Sequence, residues 1–172
     1  MASKDIMQQL VDNPVERLDV ELKCWMNPAA DDCKEKIAKG CLALYNNNGG
    51  YMIFGIRDDG SVDTDNVPTD VRAEFHTDIV QAIVSKFSYT PFEIKVEFRE
   101  RDGQEYPIIV VPRGVITPAV SKSQLGKILK FSQPFQVTLL PKRTVSLRTW
   151  DEAVHAIREL GGFTEQSRSV QT

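Results

Sequence analysis

Asn46-Asn47-Asn48-Gly49-Gly50-Tyr51-Met52-Ile53-Phe54-Gly55-Ile56-Arg57-Asp58-Asp59-Gly60 is the stretch that decides the fold. Upstream of it, Ile37, Cys41, Leu44 and Tyr45 recur at i, i+4, i+7 and i+8, one face of a helix. Three asparagines and two glycines then stop that helix, because both residue types tolerate the left-handed conformation of a helix C-terminus. Tyr51 to Ile56 is a short apolar run, the pattern of a strand covered on both faces. Asp58-Asp59-Gly60 closes it with the chemistry of a hairpin turn.

Working outward, Leu18, Val20 and Leu22 alternate with Asp19, Glu21 and Lys23, which predicts a half-buried strand with a charged face. Before it, Ile6, Leu10 and Val11 suggest a short helix capped by Ser3 and ending before Asn13-Pro14. Asp31 or Asp32 is placed to cap the helix that runs to about Tyr45. Ser61 to Pro68 reads as polar loop. Phe75, Ile79, Ala82, Ile83 and Phe87 mark an amphipathic helix, and Phe92 to Phe98 a one-sided strand. Arg101-Asp102-Gly103 leads by a hairpin into a strand over Tyr106 to Val111. Beyond Val120, Ile128–Phe131, Phe135–Leu140 and Val145–Leu147 are candidate strands. Thr149 and Glu152 have capping-box spacing for a helix over Trp150–Leu160, stopped by Gly161-Gly162. The expected fold class is α+β: a single domain over residues 1–160, a central, largely antiparallel sheet flanked by helices, and a flexible tail over 161–172.

The chain has 172 residues, 41% hydrophobic and 26% charged, enough to bury a real core. A net charge of −3 argues against a globally basic nucleic-acid binder and leaves room for a local basic patch. Cys24, Cys33 and Cys41 are odd in number and lack metal-ligand spacing, so they read as small buried apolar side chains in a reducing compartment. Two histidines offer little to a His-based metal site. With no apolar run of membrane-span length and no signal-peptide core, the expected setting is cytoplasmic, away from the membrane.

Two groups of residues carry candidate chemistry. Glu16, Glu21, Asp58 and Asp59 are hard oxygen ligands suited to Mg²⁺ or Mn²⁺ beside phosphate. The five-residue step from Glu16 to Glu21 would put them on opposite faces of a flat strand, so convergence requires Glu16 to lie off it. Glu21-Leu22-Lys23 is an E-x-K that sets a carboxylate and a lysine on one strand face. By spacing alone, a solvated Glu21 and a plain turn are the commoner outcome. Among basic residues, Arg57, Arg99, Arg101, Lys122, Lys127, Lys130, Lys142, Arg143 and Arg148 are candidates for phosphate contact. Trp25, Tyr51, Tyr89 and Trp150 are candidates for base stacking, against the commoner role of packing. Asn48-Gly49-Gly50 lacks a phosphate-loop pattern and reads as a helix stop.

In order and spacing these residues resemble the Schlafen-type (AlbA-like) nucleic-acid-binding domain. The resemblance rests on Glu16–Lys23 as E-R-L-D-V-E-L-K, Ala43–Gly50 as A-L-Y-N-N-N-G-G, Phe54–Gly60 as F-G-I-R-D-D-G, the apolar Ile108–Pro112, and Pro118. It covers residues 14–120. It implies association with nucleic acid, RNA ahead of DNA, and in some members metal-dependent endoribonuclease activity. In those members two glutamates five apart and an aspartate after the glycine-led strand are catalytic and hold the divalent ion. Glu16 and Glu21 match the pair, Asp58 or Asp59 the aspartate with Asp58 favoured, and Lys23 the lysine beside the phosphate. Other members are accessory domains on ATPases, helicases or regulators. The alternatives are therefore a non-catalytic module binding nucleic acid or a protein partner, and a structural or oligomerisation domain such as a homodimer. The sequence departs from the family at Leu22, where Phe is usual, and over Ser121–Thr172, where only Leu147-Arg148-Thr149 looks like the closing segment.

Overall fold

The computed structural model describes residues 5–113 and 119–122 in full, and the backbone of 135–139 and 143–147. In chain order the elements are α1 (Ile6–Asp12), β1 (Val20–Lys23), α2 (Asp31–Asn46), β2 (Gly50–Phe54), α3 (Val71–Glu74) and α4 (Thr77–Phe87). They continue as β3 (Lys95–Arg101), β4 (Gln104–Val111), β5 (Val120–Ser121), β6 (Phe135–Leu139) and β7 (Arg143–Leu147). A four-stranded sheet has the order β1-β2-β4-β3, and β5-β6-β7 form a second, three-stranded sheet. Only β1 and β2 run parallel, with α2 as their crossover; β2–β4 and β3–β4 are antiparallel. The α+β, largely antiparallel architecture expected from the sequence is the one observed.

The decisive stretch folds as read. After Asn46, the amides of Asn47 and Gly49 return to the carbonyls of Ala43 (3.1 Å) and Leu44 (2.8 Å). Asn48 and Gly49 turn left-handed at φ 70° and 82°. A side chain at Gly49 would meet the Val111 carbonyl at 2.8 Å, so β4 packs against the bare glycine backbone. Met52, Ile53, Phe54 and Ile56 are fully buried, between α2 and the aromatic cluster of Trp25, Phe75 and Tyr106. Trp25 stacks on Tyr106 at 5.8 Å and meets Phe75 edge-on at 6.4 Å. Burying side chains of this size contributes about 1.5–3 kcal/mol each, and this is the main source of stability here.

Several expectations change. β1 is shorter than the alternation implied, because Leu18 and Asp19 form a tight turn in which Arg17 and Val20 exchange both backbone hydrogen bonds (3.0 and 3.2 Å). Leu18 is consequently 65% exposed. The charged face of β1 is not solvated either: Glu21 is buried, since α2 packs over that face. Asp31 and Asp32 do not cap α2; Ala30 is its N-cap, and the two aspartates sit in the first turn, paired with Lys34 and Lys36. On α4 the buried stripe is Val80, Ile83 and Val84, while Ile79 and Ala82 face outward and Phe75 precedes the helix in the core. Asp5 caps α1 through Met7 N at 3.0 Å, and Ser3 lies outside the described residues. The strand placed at Phe92–Phe98 begins at Lys95 and extends to Arg101, and its hairpin turns on Asp102 and Gly103, both left-handed. The strands expected near 135–140 and 145–147 are β6 and β7. Those expected at 128–131, the 150–160 helix and the 161–172 tail lie outside the described residues.

Candidate functional site

The site is built on the ends of β1 and β2. Because these strands are parallel, the segments leaving them, Cys24–Met26 and Gly55–Asp59, emerge at one end of the sheet. α2 runs along one side of that end and lines it with Lys36, Lys39, Gly40 and the buried Ala43 and Leu44, at the edge of its core face. Between them lies a cleft of about 390 Å³, lined by those residues and by Glu21, Lys23, Cys24, Met26 and Asp58. That volume is within the range of about 300–1,000 Å³ typical of small-ligand sites.

Three of the four residues proposed from the sequence as catalytic therefore share one hollow. Glu21 is 5% exposed and forms an ion pair with the Lys23 ammonium, which also donates to the Leu22 carbonyl at 3.0 Å. A buried carboxylate needs such a partner, so the E-x-K spacing is structurally used. Asp58 opens onto the cleft from the exposed turn after β2. Glu16 does not line the cleft; the Leu18-Asp19 turn takes it off the regular strand. Arg17 is bridged to Val20 across that turn, so Glu16 lies on the segment before it. Asp59 belongs to the turn itself: its carboxylate accepts from Ser61 N (2.9 Å) and Ser61 Oγ (2.6 Å), and these bonds lower its pKa. Among the described residues, no group of three or more His, Cys, Asp or Glu side chains converges closely enough to hold a metal ion.

Other candidates resolve differently. Trp25 is core, and Tyr51 is half-buried in β2. Tyr89 is exposed, and Trp150 lies outside the described residues. Arg57 pairs with Asp63 and Asp65 (3.1 Å each), Arg99 with Asp5 (2.7 Å), and Arg101 donates to the Val11 carbonyl (3.1 Å). Lys122 donates to the Ser85 carbonyl at 2.9 Å. These cations are engaged in holding the fold. Arg143 falls in β7, and Lys127, Lys130, Lys142 and Arg148 lie outside the described residues. Cys33 and Cys41 are buried, and burial pushes the Cys41 thiol up to about 12. Cys24 departs from the expectation: it is exposed, on the cleft wall just past β1. The hollow beside Asn48, Gly49 and Gly50 is lined by no Lys or Arg, in keeping with a helix stop.

Sequence reasoning missed three residues of consequence. Lys36 and Lys39 carried a readable signal: with Gly40 and Ala43 they form an i, i+3, i+4, i+7 stripe in which small residues make a floor beside two cations. Asp63, read as polar loop, is only 4% exposed. It accepts from Trp25 N (2.8 Å), Asp65 N (3.3 Å) and Arg57 (3.1 Å), and its own carbonyl accepts from the Trp25 indole (2.9 Å). Burial works to raise its pKa, but those donors outweigh it and hold the carboxyl below its ordinary value.

Comparison with known proteins places this arrangement. No curated protein matches the chain. Among solved structures, the DIP2311 protein of Corynebacterium diphtheriae is similar over 76% of this chain at 15% identity and a TM-score of 0.50. The chain spans 22% of the length of DIP2311. The N-terminal domain of a RecG-related protein of Nitrosomonas europaea is similar over 70% of this chain and 84% of its own length, at 20% identity and a TM-score of 0.44. The family model described as Schlafen, AlbA_2 matches residues 16–132, a span holding β1, α2, β2, the cleft between them and the strands packed behind it. That is well over half of the sequence, and the chain belongs to the Schlafen AlbA_2 family.

Proposed function

We propose that the chain binds nucleic acid in the cleft between α2 and the ends of β1 and β2. Lys36 and Lys39 meet phosphate there, and Lys23 stands beside the buried carboxylate of Glu21. The observation that carries this reading is the gathering of Glu21, Lys23, Lys36, Lys39 and Asp58, from separate elements, around one hollow. Family membership supports association with nucleic acid, and we take RNA as the favoured polymer. A net charge of −3 makes long-range capture weak, so affinity has to come from these local cations and fall as salt rises. No helix among the described residues is long and apolar enough to cross a membrane.

Metal-dependent RNA cleavage is the second reading, favoured by the cleft that Glu21, Lys23 and Asp58 share. As placed, Glu16, Glu21, Asp58 and Asp59 do not close into an ion-holding set, and Glu21 is paired with Lys23, so binding comes first. The test is a gel-shift titration against tRNA and single-stranded RNA, with and without Mn²⁺. Salt-sensitive shifts that weaken about tenfold or more in the Lys36→Glu/Lys39→Glu variant are expected. The absence of any shift at low salt, or an unchanged one in that variant, removes the proposal. Product bands that need Mn²⁺ and vanish in Glu21→Gln and Asp58→Asn establish cleavage; shifted, intact RNA leaves binding alone.

A further inference from the structure

We propose that the cleft receives an unpaired nucleotide, so that the ligand is single-stranded nucleic acid rather than continuous duplex. This rests on the cleft being the nucleic-acid site, and it follows from the difference between the two walls. The α2 wall presents Lys36 and Lys39, followed by Gly40, Ala43 and Leu44 as a recessed apolar floor. The facing wall presents Met26 and Cys24 and ends in the Glu21–Lys23 ion pair and the Asp58 carboxylate. Carboxylates repel phosphate, so the polymer backbone belongs with the α2 lysines. A duplex, whose bases are stacked inward, has nothing to place on the apolar floor beyond them. A single extruded base does: it has a flat apolar face, and the volume of about 390 Å³ accommodates a small ligand. Glu21 is occupied by Lys23, which leaves Asp58 as the carboxylate able to accept from an exocyclic amino group. Cytosine, adenine and guanine carry such a group on the pairing edge, whereas uracil offers only its ring N–H there. The pocket therefore favours amino-bearing bases.

Cys24 gives a direct readout, since it lies in the cleft and is exposed while Cys33 and Cys41 are buried. The rate at which N-ethylmaleimide alkylates the native full chain is measured with saturating short oligocytidylate, in ribo and deoxy forms, with the same strand paired to its complement, and with inorganic polyphosphate. Single strands are expected to slow alkylation about tenfold, duplex and polyphosphate by less than about twofold, and oligouridylate less than oligocytidylate. The ribo and deoxy arms identify which polymer fits. Met26→Trp, at a half-buried position on the cleft wall, is expected to weaken single-strand binding and spare polyphosphate binding. Equal protection by duplex or polyphosphate overturns the inference. So does a single strand that shifts the protein in a gel yet leaves Cys24 reacting at its free rate, an outcome under which nucleic-acid binding itself still stands. Failure of every nucleic acid to bind removes both.

Discussion

At the ends of β1 and β2 the chain builds two polar clusters, and they differ in what their charges are doing. Around Asp63 the polar groups bond one another: the carboxylate takes the Trp25 and Asp65 amides and the Arg57 guanidinium, and the Trp25 indole returns to the Asp63 carbonyl. In the cleft, Lys36 has only a 3.4 Å contact with Asp32 between side chains 57% and 67% exposed, and Lys39 and Asp58 face the same hollow. Exposed pairs of that kind contribute little. The first cluster ties β1 to the loop after β2 and is structural. The second lies between α2 and the strand ends, where Glu21 and Lys23 are paired and Lys36 stays largely exposed.

Mutations that cross the two clusters test this division. The largest effect is expected from Asp63→Ala, which leaves the buried Trp25 amide without its acceptor and costs about 2–3 kcal/mol in urea unfolding. Nucleic-acid affinity of the folded fraction should not move; a parallel loss of affinity would merge the clusters. Gly55→Ala is next. Gly55 has φ 85°, and a side chain there would run into the Trp25 ring, for a cost of about 2 kcal/mol by the same measurement. Lys36→Glu/Lys39→Glu should do the reverse, lowering affinity about tenfold and flattening its salt dependence while leaving the unfolding midpoint in place. A smaller effect concerns pH. Asp63 has a lowered folded-state pKa, so its contribution is whole above the unfolded value of about 3.8 and is lost as pH falls through the folded value. The stability gap between wild type and Asp63→Asn should therefore narrow on acidification below about pH 4. The smallest effect belongs to Asp59→Ala: a slight fall in unfolding midpoint with binding unchanged, because that carboxylate serves only the turn to Ser61.

Local signals in the sequence were faithful where the chain's own neighbours decide the outcome. The Asn-Gly-Gly stop, the Asp58-Asp59-Gly60 turn and the Asp102-Gly103 hairpin appear as read, and β2 does so except that it ends at Phe54, short of the expected Ile56, where Gly55 turns left-handed; each depends on backbone preferences within a few residues. What was not legible depends on partners distant in sequence. Alternation made Glu21 a surface residue; packing by α2 and the pairing of β1 with β2 buried it. Asp63 looked like loop polarity because its partner Trp25 is 38 residues away. Ile79 and Val80 are both apolar, and only the direction from which α2 approaches α4 selects Val80 for the core. The lysine stripe on α2 was visible in principle, masked by the stronger apolar stripe beside it.

The Leu18-Asp19 reversal has a consequence for how this chain tolerates change. Because Arg17 and Val20 close the turn on each other, a two-residue count separates the segment that carries Glu16 from the strand that carries Glu21. Any side chain at position 18 can hang in solvent, as Leu18 does. One residue added or removed there would swap the faces of the side chains before the turn relative to those of β1, since successive side chains in an extended segment alternate. The turn works as a ruler: it accepts new letters and refuses a new length.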